Sequence, residues 1–131
     1  MKFFLDNTFS PREARSFAAL FAPDLEIVHL RETWPQDAKD EEWLPALIRE
    51  GDWVILTHDR SIRRDHEYIV DTLRTSSCVA IFLAKSWQEM RLVSRHAKLL
   101  LYFERMVAEV AKSRRGTVLH LGPRGKLRRD R

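Results

Sequence analysis

The feature that most constrains this chain is the spacing of its short apolar runs. They fall at Lys2–Leu5 (KFFL), Glu26–Leu30 (EIVHL), Trp53–Thr57 (WVILT), Cys78–Ala84 (CVAIFLA) and Gly116–Leu121 (GTVLHL). A strand covered on both faces reads as such a run rather than as strict alternation. Between the runs, apolar residues recur every three or four positions, the helical period. Strand–helix alternation of this kind predicts an α/β fold with a central parallel sheet covered by helices on both faces. At 131 residues the chain is long enough for one domain with a substantial core.

The helix ends are marked. Ser10-Pro11 supplies an N-cap and a proline at the first helical position, and Ala14, Phe17, Ala18 and Phe21 share one face. Arg31–Lys39 reads as a loop. Asp40-Glu41-Glu42 places three acids where a helix N-terminus favours them, Trp43, Leu44, Leu47 and Ile48 form its apolar stripe, and Gly51 ends it. His58–Arg64 reads as a polar loop, followed by a helix over roughly Asp65–Arg74. Ser86 opens a long helix to about Lys112 whose stripe includes Val93, Ala97, Phe103, Val107 and Val110, wide enough to suit a homodimer contact. Arg91, Arg95, Lys98, Arg105 and Lys112 give that helix a basic face, which reads more simply as solvated than as an RNA surface.

Composition removes several classes. A single cysteine, Cys78, excludes a disulfide framework or multi-cysteine zinc site. Four glycines leave no GxGxxG or Walker A phosphate cradle. Asp6 arrives too early for a signal peptide, and no apolar run approaches the ~20 residues of a membrane span. The expectation is a cytoplasmic protein with no membrane segment.

The net charge of +4 is unevenly placed. From Lys112 onward eight basic residues face Asp130 alone, a net of +7, whereas the 111 residues before them hold 15 basic and 18 acidic side chains, a net of −3. Residues 1–121 are expected to form the domain and residues 122–131 a flexible basic tail able to contact RNA phosphates or an acidic partner.

In a parallel α/β sheet, ligands bind beyond the carboxyl ends of the strands. Asp6 ends the first strand, Asp59 follows the third, and Asp40 opens the helix leading into the third. Three carboxylates in one crevice repel one another unless a cation lies among them, and hard oxygen ligands suit Mg2+ or Mn2+. Asn7 is placed to position a phosphate or water, Thr57 to hydrogen-bond a carboxylate, and Arg60, Arg63 and Arg64 to bind a phosphate backbone. Each position also has a plainer reading: Asp6-Asn7 as a strand-ending turn, Asp40 as a helix cap, Asp59-Arg60 as a solvated pair. His58 is equally a proton carrier or an ordinary loop histidine.

Three elements in order resemble the PIN-like domain family: Phe4-Leu5-Asp6-Asn7-Thr8-Phe9-Ser10-Pro11, Asp40-Glu41-Glu42-Trp43 and Val54-Ile55-Leu56-Thr57-His58-Asp59-Arg60. The match spans roughly residues 2–84 and is most similar to the VapC-type toxins of toxin–antitoxin pairs. The resemblance implies a three-layer α/β/α sandwich. It also implies Mg2+- or Mn2+-dependent RNA cleavage by metal-activated water, leaving a 3′-hydroxyl and a 5′-phosphate, and a cognate antitoxin as partner. Asp6, Asp40 and Asp59 fall on its metal-binding aspartates and Thr57 on its hydroxyl residue. A further helical acid found in many such nucleases has no clear counterpart here: Glu32 and Asp37 lie on a predicted loop. Two alternatives stay open, a catalytically silent PIN-like module that binds RNA or protein, and a phospho-acceptor receiver domain. The latter calls for paired acids after the first strand, where this chain has Asp6-Asn7.

Overall fold

The computed structural model describes residues 1–58 and 67–130. Its elements are β1 (Lys2–Leu5), α1 (Pro11–Phe21), β2 (Glu26–His29), α2 (Asp40–Glu50), β3 (Trp53–Thr57), α3 (Glu67–Arg74), β4 (Val79–Leu83), α4 (Lys85–Gln88), α5 (Leu92–Lys112), β5 (Val118–Leu121) and β6 (Leu127–Arg129). The predicted loop after β2 begins with a 3-10 turn at Leu30–Glu32.

One six-stranded sheet has the order β2-β1-β3-β4-β5-β6. The first five strands are parallel, as expected, and β6 is antiparallel to β5. Side chains along a strand point alternately to opposite faces, so each apolar run feeds two cores. Phe3, Leu5, Val54, Leu56, Val79 and Ile81 pack with Phe17, Leu99, Phe103 and Met106 of α1 and α5. On the other face, Phe4, Ile55, Ala80 and Phe82 pack with Trp43, Leu47, Ile69 and Leu73 of α2 and α3. The result is a three-layer α/β/α sandwich.

Two expectations are corrected. The long helix predicted from Ser86 is broken between Gln88 and Leu92. That break resets the helical phase. The buried stripe is Leu99, Phe103, Met106 and Val110, while Val93 and Leu101 are 80% and 78% exposed.

The second correction concerns residues 122–131, expected as a flexible tail. Within the described part they form a hairpin with β5: Gly122 N–H donates to Lys126 O (2.9 Å), Gly125 N–H to Gly122 O (3.1 Å), and Leu121 faces Leu127. Pro123 in the second position and Gly125 at φ +81° suit a tight turn closed by a glycine in the left-handed region. Asp130 then fastens the end of the strand. Its N–H donates to Val118 O (2.7 Å), and its carboxylate accepts from Arg74 (2.5 Å) and lies 3.2 Å from His120 Nε2. Exposed Arg128 and Arg129 put charge on the outer strand, which discourages pairing with another chain.

A Cβ at Gly125 would stand 2.5 Å from the Tyr102 ring as well as requiring positive φ. Gly125→Ala is therefore expected to destabilise by about 1–3 kcal/mol and to loosen β6. Denaturant titration measures the first effect and protease sensitivity of the hairpin the second. A variant as stable and as resistant as the parent would show that the turn tolerates a side chain.

Candidate active site at the sheet switch point

The strand order reverses at β1: its chain successor β2 lies on one side and β3 on the other. A crevice opens at such a point, beyond the carboxyl ends of the two strands. In the β1–β3 register Leu5 faces Leu56, so Asp6 and Thr57 are the next neighbours in that crevice. Both are buried, Asp6 at 3% exposure. Thr57 Oγ1 donates to Asp6 Oδ2 at 2.5 Å. The other carboxylate oxygen accepts from the Thr8 backbone N–H at 3.0 Å and from the Thr8 hydroxyl. That i to i+2 bond is an Asx turn, and it carries the chain off the end of β1.

Burial pushes the Asp6 carboxyl up to about 6. Hydrogen bonds from Thr57 and Thr8 oppose the rise, and the negative charge of Asp40 adds to it. Asp40 is the first residue of α2, whose N-terminal end favours an acid, and Glu42 accepts from Lys39 N–H (3.4 Å) to close the turn. Thr57 thus bonds Asp6 directly, and Asp40 acts on it through its charge. Asp59, Arg60, Arg63 and Arg64 lie outside the described residues. Among the described residues no group of three His, Cys, Asp or Glu could hold a metal ion.

Asn7 is exposed and engaged elsewhere. Its Nδ2 donates to Gln36 O at 2.7 Å and its Oδ1 accepts from Arg31 Nε at 3.0 Å. It ties the loop after β2 to the crevice rim.

Three contributors escape a reading of the sequence. Thr8 is one; the Asp-x-Thr spacing of an Asx turn was its signal. Glu13 and Arg95 are the others. Glu13 is 2% exposed, accepts from Ser10 N–H at 2.9 Å to complete a capping box, and is ion-paired with Arg95. The Ser10-x-x-Glu13 spacing signals the cap but not the ion pair. Arg95 also lies over the Phe9 ring, 5.7 Å from its centroid, and thereby supports the loop that follows Asp6.

His58 is 1% exposed against Phe9, with ring centroids 4.7 Å apart. Its backbone N–H donates to Thr8 Oγ1 (3.2 Å), but neither ring nitrogen has a hydrogen-bond partner among the described residues. Burial pushes its pKa down to about 3, and Arg95 adds to the fall. The unfolded chain takes up this proton near 6.5, so between 6.5 and 3 it binds more protons than the folded one. The stability that neutral His58 contributes is complete above about pH 6.5 and is lost as pH falls toward 3. His58→Phe is expected to lose less stability than the parent between about pH 7.5 and 4.5 in urea titrations. Equal losses would show that His58 does not govern this acid sensitivity. His29 is also buried, with Nε2 at 2.8 Å from Phe9 O and Nδ1 accepting from Arg31 N–H. Burial lowers its pKa, and it serves as a neutral structural bridge.

Residues 1–85 match the family model described as PIN like domain. The chain belongs to the PIN-like domain family. Neither a curated protein nor a solved structure matches it. PIN-like domains are in general nucleases, and the matched span carries both strands of the switch point and the start of α2. No helix among the described residues is long and apolar enough to cross a membrane.

Proposed function

We propose that this PIN-like protein is a metal-dependent endoribonuclease and acts as the toxin of a toxin–antitoxin pair. The observation that carries the reading is a costly one: a carboxylate is buried at the switch point of the sheet within reach of a second negative charge, Asp40. Burying an acid beside another acid destabilises a fold unless a cation or a reaction requires it. The two oxygen-donor side chains fit a hard divalent ion, Mg2+ or Mn2+. Asp6 and Asp40 would hold it, with Asp59 as the third candidate. Such an ion would lower the pKa of a bound water and neutralise charge developing on a phosphate.

The chain's own residues set the geometry. Thr57 and Thr8 fix the Asp6 carboxylate in one orientation from two sides. Asn7 and Arg31 hold the rim, and exposed Arg31 faces the solvent from which an RNA phosphate would approach. Arg60, Arg63 and Arg64 are the proposed backbone contacts. Attack by water on phosphorus, with cleavage of the bond to the 3′ oxygen, gives a 3′-hydroxyl and a 5′-phosphate.

The test is cleavage of a labelled RNA in Mg2+ or Mn2+ by the parent, Asp6→Ala and Asp40→Ala. Losses of about 100-fold or more in both variants are expected. Variants that cut as well as the parent would remove the assignment. One observation favours a catalytically silent module instead: both Asp6 oxygens and both Asn7 side-chain atoms already have partners within the chain. RNA binding by the parent with no cleavage in either metal would select that reading.

A further inference from the structure

A second concavity lies at the same end of the sheet, beyond the carboxyl ends of β4 and β5. It measures about 1090 Å³, and the β5–β6 hairpin forms one wall. Arg124, Lys126 and Arg128 line it from that wall, with Glu67 the one acid among the described residues that line it. These cations have no ion-pair partner among the described residues. The acid nearest them in sequence, Asp130, is committed to Arg74 and His120. Phe82 and His120 lie in register across β4 and β5 and are stacked, 5.8 Å between centroids and 26° between planes. Both residues line the concavity, with the His120 side chain the more open of the two at 27% exposure and Phe82 backing it from the core.

The geometry points to this concavity as a groove for single-stranded RNA, in which hairpin cations take phosphates and the Phe82–His120 pair takes a base. The nuclease reading supplies the substrate, and the inference rests on it in that respect. Unpaired cations alone suit any polyanion, but stacked rings beside them suit a chain that alternates phosphate with a flat base. The volume exceeds what small-molecule pockets commonly offer and suits an extended strand. The groove begins at β4, two strands along from β1, so roughly 10 Å from Asp6 at about 4.8 Å per strand step. A strand lying across the carboxyl edge would reach both. Arg124, Lys126, Arg128 and His120 lie beyond the family-matched residues 1–85, whereas Phe82 lies within them.

The test is fluorescence-anisotropy binding of a labelled single-stranded RNA of about 12 nucleotides across a salt series, using full-length protein. Asp6→Asn is the background, so that no probe is cut. Adding Arg124→Gln, Lys126→Gln and Arg128→Gln is expected to weaken binding at least ~10-fold. It should also make the salt slope shallower by about 2, at roughly 0.7 for each phosphate no longer neutralised. His120→Leu should weaken binding with the salt slope unchanged, the signature of lost stacking rather than lost charge. Equal affinity for single-stranded DNA of the same sequence supports a groove that reads phosphate and base face. Equal affinity for a poly-glutamate peptide, or unchanged affinity and slope in the triple variant, overturns the groove. Cleavage by the otherwise unmodified protein is measured separately. A parent that binds through the groove but cuts nothing fails the nuclease reading alone; one that cuts while the triple variant binds normally fails the groove alone.

Discussion

Asp6→Asn is expected to abolish RNA cleavage and, in metal-free buffer at about pH 7.5, to make the protein more stable. A carboxyl whose pKa rises from 3.8 unfolded to about 6 folded prefers its proton in the folded state. Its favourable contribution is complete below pH 3.8 and is lost as pH rises through 6. Above that the ionised group costs up to about 3 kcal/mol, at roughly 1.36 kcal/mol per unit. Asparagine keeps the shape without the charge, and the Thr8 and Thr57 hydroxyls can each accept as well as donate. A gain of about 1–3 kcal/mol follows, or roughly 5–10 °C in Tm. The gain should vanish at about pH 4, where the parent carboxyl is protonated. Mn2+ should raise the Tm of the parent and leave that of Asp6→Asn unmoved, since a ligand stabilises only the state that binds it. An asparagine variant less stable than its parent at both pH values would mean that the hydrogen bonds to Asp6 outweigh its desolvation.

The second large effect is expected at a residue with no assigned part in chemistry. Glu13→Ala should destabilise by about 3–5 kcal/mol, because it strands the nearly buried Arg95 guanidinium without its partner. Loss of the Ser10–Glu13 capping bond adds to this, by about 1 kcal/mol. Arg95→Ala should be costly for the converse reason, and the double variant should cost well under the sum, because neither charge is then left alone. Urea denaturation of the four proteins yields the coupling energy. A Glu13→Ala cost below about 1 kcal/mol, or additive single variants, would show the pair to be incidental. Because Arg95 also lies over Phe9 and beside His58, the same variants should blunt activity through the loop after Asp6.

These two residues mark what is legible in the sequence. Asp6 can be read because a strand-ending acid in an α/β alternation has a rule that places it, and Thr57 and Asp40 follow from the same rule. The five apolar strands and the Ser10-Pro11 helix start are legible for equally local reasons. Glu13 and Arg95 are not, since their meeting depends on how α1 and α5 cross, 82 residues apart in the chain. By helical spacing alone, Arg95 belongs to a solvated basic face. His58 reads as a loop residue, although burial against Phe9 makes it part of the core. The hairpin is hidden by composition: five Arg and Lys in ten residues look like a solvated tail, and they outweigh the turn chemistry of Gly122-Pro123-Arg124-Gly125. The helix break before Leu92 has no glycine or proline to announce it, and it moves the buried stripe away from Val93 and Ala97.

The strand order carries a consequence for how much of the chain makes a folding unit. Once β1 lies between β2 and β3, every later strand is added to the same edge in chain order: β4, then β5, then β6. A fragment ending at residue 85 would carry the whole family-matched span but stop with β4, a strand buried along its full length, as its open edge. It would also lack Leu99, Phe103 and Met106, which cover Phe3 and Leu5 directly behind Asp6. The family-matched portion alone is therefore expected to fold poorly. The last third of the chain, beyond the family match, is a fitted lid on the two thirds that carry Asp6.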